Sequence, residues 1–425
     1  MDYLERAIAP KFNEIKPFSL VEAKTTRLSN NVPLHLINAG DQPVVKIEIL
    51  IKAGKWFESQ DGTSFFTTKM LREGVSEKNS NEISVFLDQF GAFLELNPSA
   101  DYCNISLYVL TKYLRDVLPL LSQIIFEPTF PEKELVVLKN IKKQSLKLDN
   151  EKNNIVGAKL FRKALFGGNH PYGKELKPED IDLIDQKDLV KLHRKRFFKD
   201  VEIIVSGKVD GNDLKLLEEH FGSFNIKTEE ESYIQFEPLS DDREVCIEKD
   251  GSLQSTIRIG KLLFKKNHPD YIKVLVVNEI LGGYFGSRLM RNIREDKGYT
   301  YGIHSSIVSL RNEGYFVIGT DVKKDFTQAT IDEIHKEINI LRNELIGQEE
   351  LDTVKNYMLG SFLSNVTTPF SLADKFKSIH FHGLTYDFYK DYFQTIKALS
   401  AMEILELSRK YLDIDSMTEV VVGGK

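Results

Sequence analysis

The stretch "ELVVLKN" at residues 134–140 returns as "ELDTVKN" at residues 350–356. The two segments keep Glu, Leu, Lys and Asn at identical spacing, and from residue 134 to residue 350 the offset is 216 residues. An offset of about half the chain is what an internal duplication leaves behind. The repeat therefore predicts two homologous halves.

Both halves show the same order of predicted elements: a strand pair, helices, a second strand pair and two more helices. In the first half, alternating apolar and polar residues over 32–54 predict two strands about a Gly-Asp turn. Apolar residues at helical spacing predict a helix over 80–91, with Ser80 or Asn81 as its cap and Gly91 as its stop. Hairpins packed against helices are typical of an α+β fold.

The predicted architecture is two homologous α+β domains, each a mainly antiparallel sheet covered on one side by helices. Residues 224–244 are polar, acidic and almost without apolar periodicity, which is typical of a linker. We expect an N-terminal domain over 1–225, a linker over 226–242 and a C-terminal domain over 243–425. The length of 425 residues agrees with at least two domains.

The charge balance argues against one broad class of function. Lys plus Arg number 57 against 63 Asp plus Glu, the formal net charge is -6, and the charges are interspersed. A general nucleic-acid binder carries a basic face that neutralises phosphates, so we expect no nucleic-acid partner. The two cysteines, Cys103 and Cys246, lie far apart without metal-ligand spacing, and both are expected to be small buried side chains.

The sequence shows no sign of export or of a membrane span. Its first 20 residues include Asp2 and Glu5 and contain no apolar segment of the length that a signal peptide needs. No window approaches the ~20 apolar residues that cross a bilayer. We therefore expect no membrane partner and a bacterial cytoplasmic location, with a periplasmic location only if a leader was removed.

Four segments, together with the duplication, carry a resemblance to a known family. They are "GTSFFTTKMLREG" (62–74), "GAFLELNPSADYCNISLYVL" (91–110), "HPYG" (170–173) and "SRLMRNIREDKGYTYGI" (287–303). The chain resembles, over nearly its whole length, the pitrilysin family of metallopeptidases, nearer to mitochondrial processing peptidase and its bacterial relatives. Active members carry the inverted zinc motif H-x-x-E-H on the helix that corresponds to 62–74, and a later helix supplies a glutamate as third ligand.

The positions of that zinc motif hold different residues in this sequence. Phe65 and Lys69 stand at the histidine positions, Thr68 stands at the glutamate, and the third ligand falls near Gln144 or Ser145. A zinc site of this type needs two imidazoles one helical turn apart and a carboxylate that takes a proton from the metal-bound water. Phe has no lone pair, and Lys would bring an ammonium to a cation site. We therefore expect the chain to bind no cofactor of its own.

The histidines offer no replacement motif. The motif H-x-x-E-H occurs nowhere in the sequence, and the nine histidines include one close pair, His380 and His382. Residues two apart point to opposite sides of a helix. We expect ordinary packing or surface roles for both.

The resemblance implies that one functional pair is kept in the second half. In the family, an Arg and a Tyr seven positions apart reach the active site, where they hold the substrate backbone and stabilise the oxyanion; Arg294 and Tyr301 match this spacing. A guanidinium offers a fork of fixed donors, and a phenol is a neutral donor suited to an oxyanion. The alternative is a surface charge at a helix end and an aromatic at a strand start.

Two further features follow from the resemblance. The ligand-free subunit of processing peptidase has a glycine-rich loop that helps to feed substrate, and "LGGYFGSRL" offers a short counterpart with Gly282, Gly283 and Gly286, or else a tight turn. Substrate capture in the family resembles strand addition at a sheet edge. The corresponding edge, residues 92–97, is poorly suited to receive a peptide because of Glu95 and Pro98, although Pro98 is equally a simple strand terminator.

Three hypotheses follow. The leading one is a non-catalytic subunit of a heterodimeric zinc peptidase that acts on unfolded peptides: Arg294 and Tyr301 serve a zinc site on a homologous zinc-bearing partner, and a homodimer forms when the chain is alone. The second is a catalytically inert scaffold, as the core subunits of respiratory complex III resemble peptidases without acting as them. The third, a self-sufficient peptidase with an unorthodox metal site, requires ligands that the sequence does not display.

Overall fold

The first half of the chain folds around a six-stranded sheet. The computed structural model of the protein describes residues 19–225 and 243–425, so the predicted linker at 226–242 lies outside the described residues. The sheet has the strand order β1-β2-β8-β3-β7-β6, and β4 pairs with β5 separately. The strands are β1 (Lys24–Arg27), β2 (Pro33–Asn38), β3 (Val44–Ile51), β4 (Gly74–Val75), β5 (Lys78–Asn79), β6 (Phe93–Pro98), β7 (Cys103–Leu110) and β8 (Val201–Gly207).

Helices of the same half cover one face of this sheet. Strand β7 places Cys103, Ile105, Leu107 and Val109 in the buried core, as a strand of period two does when one face is packed. The helices are α1 (Thr63–Met70), α2 (Ser80–Gln89), α3 (Leu114–Phe126), α4 (Glu132–Glu151), α5 (Asn153–Phe166), α6 (Pro178–Leu183), α7 (Gln186–Arg196) and α8 (Gly211–Phe221).

The second half repeats this plan with a five-stranded sheet of order β11-β12-β10-β13-β9. Its strands are β9 (Glu244–Glu248), β10 (Gln254–Leu263), β11 (Thr300–Ser309), β12 (Gly314–Lys323) and β13 (Thr418–Gly423). Its α-helices are α9 (Tyr271–Asn278), α10 (Thr327–Asn343), α11 (Gln348–Ser364), α12 (Pro369–His380), α13 (Asp387–Ala398) and α14 (Ala401–Tyr411), and two segments are π-helical, Glu279–Gly283 and Met290–Asp296.

The offset read from the sequence recurs in the fold. Helices α4 and α11 begin at Glu132 and Gln348, and α5 and α12 begin at Asn153 and Pro369, so both pairs begin 216 residues apart. The two sheets also share the connectivity of their central strands. The predicted fold class, two homologous domains with mainly antiparallel sheets against helices, is thus confirmed.

The predicted strand pair over 32–54 exists, but its two strands are not neighbours. Strand β8 lies between β2 and β3, parallel to β2 and antiparallel to β3. In the second half, β13 lies between β9 and β10 in the same way. A short turn permits a hairpin without requiring one, and the last strand of each half gains two hydrogen-bonded neighbours by inserting there.

The opposite face of each sheet is partly covered by one helix from the other half. Helix α12 packs Leu372, Ala373 and Phe376 against β2 and β8, and helix α5 packs Phe161 and Leu165 against β13. The two domains are therefore joined by a reciprocal exchange of helices. This exchange determines which side chains meet between the domains.

The cysteine prediction holds for one residue and is wrong for the other. Cys103 is fully buried beneath the first sheet's helices, and burial raises the pKa of its thiol to about 12. Cys246 is exposed, because it lies on the short edge strand β9, which no further strand covers. Within the described residues, no helix is long and apolar enough to cross a membrane.

Candidate functional site

Helix α1 carries the positions at which the family binds zinc. Its N-cap is Gly62, whose φ of 88° is left-handed and whose missing Cβ leaves room for the side chain of Leu176. Phe66 and Met70 point into the core and fix the rotation of the helix. The opposite face presents Phe65 and Lys69.

None of the three motif positions offers a metal ligand. The ring of Phe65 packs edge-on against Phe66, and Lys142 lies 4.6 Å from its centroid. Thr68 is fully buried and donates to the carbonyl of Ser64 at 2.8 Å, while Lys69 donates to the carbonyl of Leu96 on edge strand β6. An aromatic ring, a hydroxyl bonded within its own helix and an ammonium do not fit Zn²⁺.

Of the two candidate positions for the third ligand, Gln144 faces solvent and Ser145 is half-buried. Gln144 lies on α4 and is exposed. It belongs to a helical stripe with Val137, Ile141 and Leu148, which are each more than half exposed. The stripe lines no packed core within the described residues.

A cavity of about 450 Å³ lies beside α1, between the two domains. Phe65 and Gly62 contribute from the first domain, and Leu310 and Tyr315 contribute from the second. Half of the other lining residues are charged, and these are Lys55, Glu58, Asp61, Lys142, Arg162, Lys174 and Glu175. Burial raises the pKa of the Glu58 carboxyl.

The "HPYG" loop joins the domains next to this cavity. Tyr172 donates to Asp101 at 2.7 Å and accepts a hydrogen bond from the backbone N–H of Asn312, in the second domain, at 3.3 Å. Burial is the main cause that raises the pKa of its phenol. Sequence reasoning used the loop as a family marker and missed its joining role, because its partners lie far away in the sequence.

Arg294 and Tyr301 lie together on a firmly held frame in the second domain. Arg294 belongs to the π-helical segment Met290–Asp296, and such segments are frequent at functional sites. The chain then turns at Gly298, whose φ of 66° is left-handed, and enters β11. Asn292 donates to both Glu333 and Glu337 of α10, at 2.9 and 2.7 Å, which fixes the segment.

The turn brings the two predicted side chains into contact. The guanidinium carbon of Arg294 lies 5.5 Å from the ring centroid of Tyr301 and 4.5 Å from that of Phe285. Tyr301 is 92% exposed and Phe285 is 61% exposed. The donors of the pair therefore face outward from the domain.

The structure does not bring this pair to helix α1 of the same chain. Tyr301 lies at the start of β11, whereas Leu310, which lines the cavity beside Phe65, follows the end of that strand. Nine residues of extended chain span about 30 Å. Any reaction centre served by Arg294 and Tyr301 thus lies at the other end of the strand.

The predicted glycines fall into different environments. Gly282 is buried in the π-helical segment Glu279–Gly283, where a Cβ would lie 2.8 Å from the backbone nitrogen of Ser305. Gly283 is exposed, and Gly286 lies in the following turn beside the ring of Tyr284. Close packing explains Gly282, and a substrate role for the three glycines stays a prediction.

Comparison with known families agrees with this geometry. Residues 35–176 match the family described as Insulinase (Peptidase family M16), and residues 184–358 match that described as Peptidase M16 inactive domain. The chain belongs to peptidase family M16, which confirms the predicted resemblance. With Phe65, Thr68 and Lys69 in the zinc positions, it is a homologue of the inactive type within that family.

The names of curated relatives include both zinc proteases and non-peptidase homologues. "Uncharacterized zinc protease YmxG" of Bacillus subtilis is 25% identical over 339 residues, covering 79% of this chain and 82% of the relative. "Non-peptidase homolog YmxG" of Helicobacter pylori is 25% identical over 377 residues, covering 87% and 86%. Among solved structures, the peptidase M16 inactive domain from Pseudomonas fluorescens has a TM-score of 0.85 at 22% identity, covering 95% of this chain and 98% of that one.

Proposed function

We propose that the protein is the non-catalytic subunit of a heterodimeric zinc peptidase and supplies Arg294 and Tyr301 to a zinc site on a homologous subunit. The observation that carries this proposal is a donor pair that is firmly positioned but outward-facing, in a chain whose own α1 has no zinc ligands. The zinc, the water and the general base are then the partner's.

The exposure of Tyr301 supports a role outside the fold. A tyrosine that stabilises its own domain buries its ring, and burial of a large side chain contributes about 1.5–3 kcal/mol. At 92% exposure, Tyr301 gains almost none of this. A side chain that is costly to expose and is held in place by its neighbours is well suited to a contact with a second molecule.

The chemistry of the pair fits the tetrahedral intermediate of peptide hydrolysis. As the peptide carbonyl is attacked, its oxygen becomes an oxyanion, and fixed donors that face it lower the barrier without reorganising. The guanidinium of Arg294 and the phenol of Tyr301 supply such donors, and the ring of Tyr301 holds the guanidinium in place.

The first-domain sheet edge supports a division of labour between subunits. Lys69 occupies the carbonyl of Leu96 on β6, so an incoming peptide strand would find that acceptor taken. Strand addition by the extended substrate is therefore proposed for the partner's sheet edge, with this chain as the second wall of the chamber.

The test is peptide hydrolysis by this chain alone, with zinc present, and by a mixture with a co-expressed H-x-x-E-H homologue from the same genome. We expect activity only in the mixture. Arg294→Ala and Tyr301→Phe should each lower kcat about 100- to 1000-fold, since removal of one oxyanion donor has that effect. Arg291→Ala, on the same π-helical segment, and Tyr299→Phe, just before β11, are matched controls and should keep activity.

The scaffold hypothesis is the second candidate, and the name of the Helicobacter pylori relative, a non-peptidase homolog, favours it. A scaffold would bind its partner and tolerate both substitutions. Unchanged activity of Arg294→Ala and Tyr301→Phe in the mixture, or inactivity of every mixture, would refute the donor role and leave the scaffold.

A further inference from the structure

Three side chains with metal-binding atoms meet between the domains, away from α1. His35 lies on β2, Glu202 lies on the neighbouring strand β8, and His380 is the last residue of α12 from the other half. His35 is paired with Ile204 in the sheet, so Glu202, two residues earlier, points to the same face. Helix α12 covers that face and brings His380 to the other two.

The donor atoms converge on one point. Nε2 of His380 lies 2.6 Å from Oε2 of Glu202, Nε2 of His35 lies 3.6 Å from the same oxygen, and all three donor atoms lie within 4.8 Å of one another. Zinc bonds of about 2.0–2.2 Å at tetrahedral angles place ligand atoms about 3.3–3.6 Å apart. The distance between Nε2 of His35 and Oε2 of Glu202 already lies in this range. The distance between Nε2 of His380 and the same oxygen would have to lengthen by about 1 Å at most.

His35 is oriented as a metal ligand is. Its Nδ1 lies 2.9 Å from the hydroxyl of Thr25 on β1, and when Nδ1–H donates to that hydroxyl the lone pair is on Nε2, as a metal ligand requires. His35 is 3% exposed, and its Nε2 faces Oε2 of Glu202 at 3.6 Å, longer than an ordinary hydrogen bond. With the proton on Nδ1, the Nε2 lone pair and the carboxylate oxygen of Glu202 face each other, and a cation placed between them would be bound by both.

The rings are held by their neighbours. Phe376, one turn before His380 on α12, stacks on His380 at 5.0 Å between centroids and contacts His35 at 4.8 Å. The nearby carboxylate of Glu48 is bound by Lys377 at 2.6 Å and Lys46 at 3.1 Å. Glu202 is thus the carboxylate that faces the two imidazoles.

We propose that His35, Glu202 and His380 bind one first-row divalent cation, with Zn²⁺ as the reference ion, and that this ion fastens helix α12 to the sheet of the first domain. Two imidazoles and a carboxylate are a ligand set that zinc accepts, with water as the fourth ligand. His380 is partly exposed, at 32% of its side chain, so the ion and the water have access.

This ion would have no part in peptide hydrolysis by the chain. The three ligands occupy the domain junction, and the proposal holds whether or not the donor role of Arg294 is correct. It also changes what a metal analysis means, because zinc in the purified protein would indicate a fastened junction and not a self-sufficient peptidase.

The experiment is a calorimetric titration of the tag-free, chelator-treated full chain with ZnCl₂. We expect one zinc per chain, with a thermal midpoint that rises by a few degrees when zinc exceeds Kd about 100-fold. His380→Ala, at a partly exposed helix end, should weaken binding at least about 100-fold, and Thr25→Val, which frees Nδ1 of His35, about 10- to 100-fold. His220→Ala, on α8, is the matched control and should bind as the wild type does.

Two results would overturn the proposal: no saturable binding of one zinc per chain, or equal binding by the wild type and His380→Ala. Hydrogen exchange gives an independent reading, because zinc should slow the amides of α12 in the wild type and leave them unchanged in His380→Ala. Since His380 stacks on Phe376 and contacts Glu202, the folding of that variant is verified by a cooperative thermal transition without zinc, at whatever midpoint it occurs.

Discussion

Lys69 illustrates how a catalytic position acquires a structural role. Its ammonium donates to the carbonyl of Leu96 on edge strand β6, and partial burial lowers its pKa. Lys69→Ala leaves that carbonyl without its donor, so we expect the free energy of unfolding to fall by about 1 kcal/mol. Urea unfolding measures it, with Lys147→Ala, exposed on α4, as the control. An unchanged midpoint would mean that the bond contributes nothing.

Glu279, at the start of the first π-helical segment, predicts a pH dependence of stability. Burial raises the pKa of its carboxyl to about 7. Because the folded-state pKa lies above that of the unfolded chain, its stabilising contribution is complete at about pH 4 and is lost as the pH rises through about 7.

Glu279→Gln removes this titration, so the variant should lose less stability than the wild type between about pH 5 and about pH 8. Urea midpoints at the two pH values measure the difference. Glu295→Gln, an exposed carboxylate in the second π-helical segment, should leave the wild-type slope unchanged. A Glu279→Gln slope equal to that of the wild type would contradict the assignment.

At the scale of elements, the exchanged helices depend on close packing that a matched pair of glycines can test. A Cβ on Gly157 of α5 would lie 2.8 Å from the methyl group of Thr256, which is buried, whereas a Cβ on Gly360 of α11 would meet nothing within 4 Å. Gly157→Ala should therefore destabilise the protein by about 1–3 kcal/mol. Gly360→Ala should stabilise it by about 0.5–1 kcal/mol, since alanine favours a helix. Stabilisation by both would show that α5 can shift away from its sheet.

The elements also show how far the sequence could be read. The helix predicted over 80–91 is α2, but its cap is Asn79 and not Ser80 or Asn81, because Asn79 and Glu82 exchange hydrogen bonds between side chain and backbone at 3.0 and 2.9 Å. Periodicity locates a helix well and its first residue poorly. Strand neighbours were harder still, since β8 enters between β2 and β3 from more than a hundred residues away.

The candidate sites also differ in how well the sequence predicted them. Motif spacing placed Phe65, Thr68 and Lys69 on one helix and brought Arg294 next to Tyr301, because both relations are local in the chain. It gave His380 an ordinary packing or surface role. The cluster with His35 and Glu202 depends on the packing of α12 across the domains, and no spacing in the sequence records that contact.

At the scale of the whole molecule, binding to the partner subunit and contribution to the reaction can be tested separately. If this chain binds the zinc-bearing subunit through its overall surface and contributes to the reaction through Arg294, then Arg294→Ala should still bind and should occupy the partner unproductively. The side chain lies on a frame fixed by Asn292 and Gly298, neither of which it supports. The variant is therefore expected to fold.

Adding Arg294→Ala in tenfold excess over the wild-type chain, at a limiting amount of partner, should reduce peptide hydrolysis to about a tenth, because the two forms compete equally by mass action. Arg291→Ala in the same excess should leave the rate unchanged. Full activity in the presence of excess Arg294→Ala would mean that the variant fails to dock or that the arginine is dispensable, and the activity of the variant with the partner alone separates these cases. Inhibition would place this chain inside the assembled enzyme, with its donor pair acting across the interface on a reaction centre that its own fold does not contain.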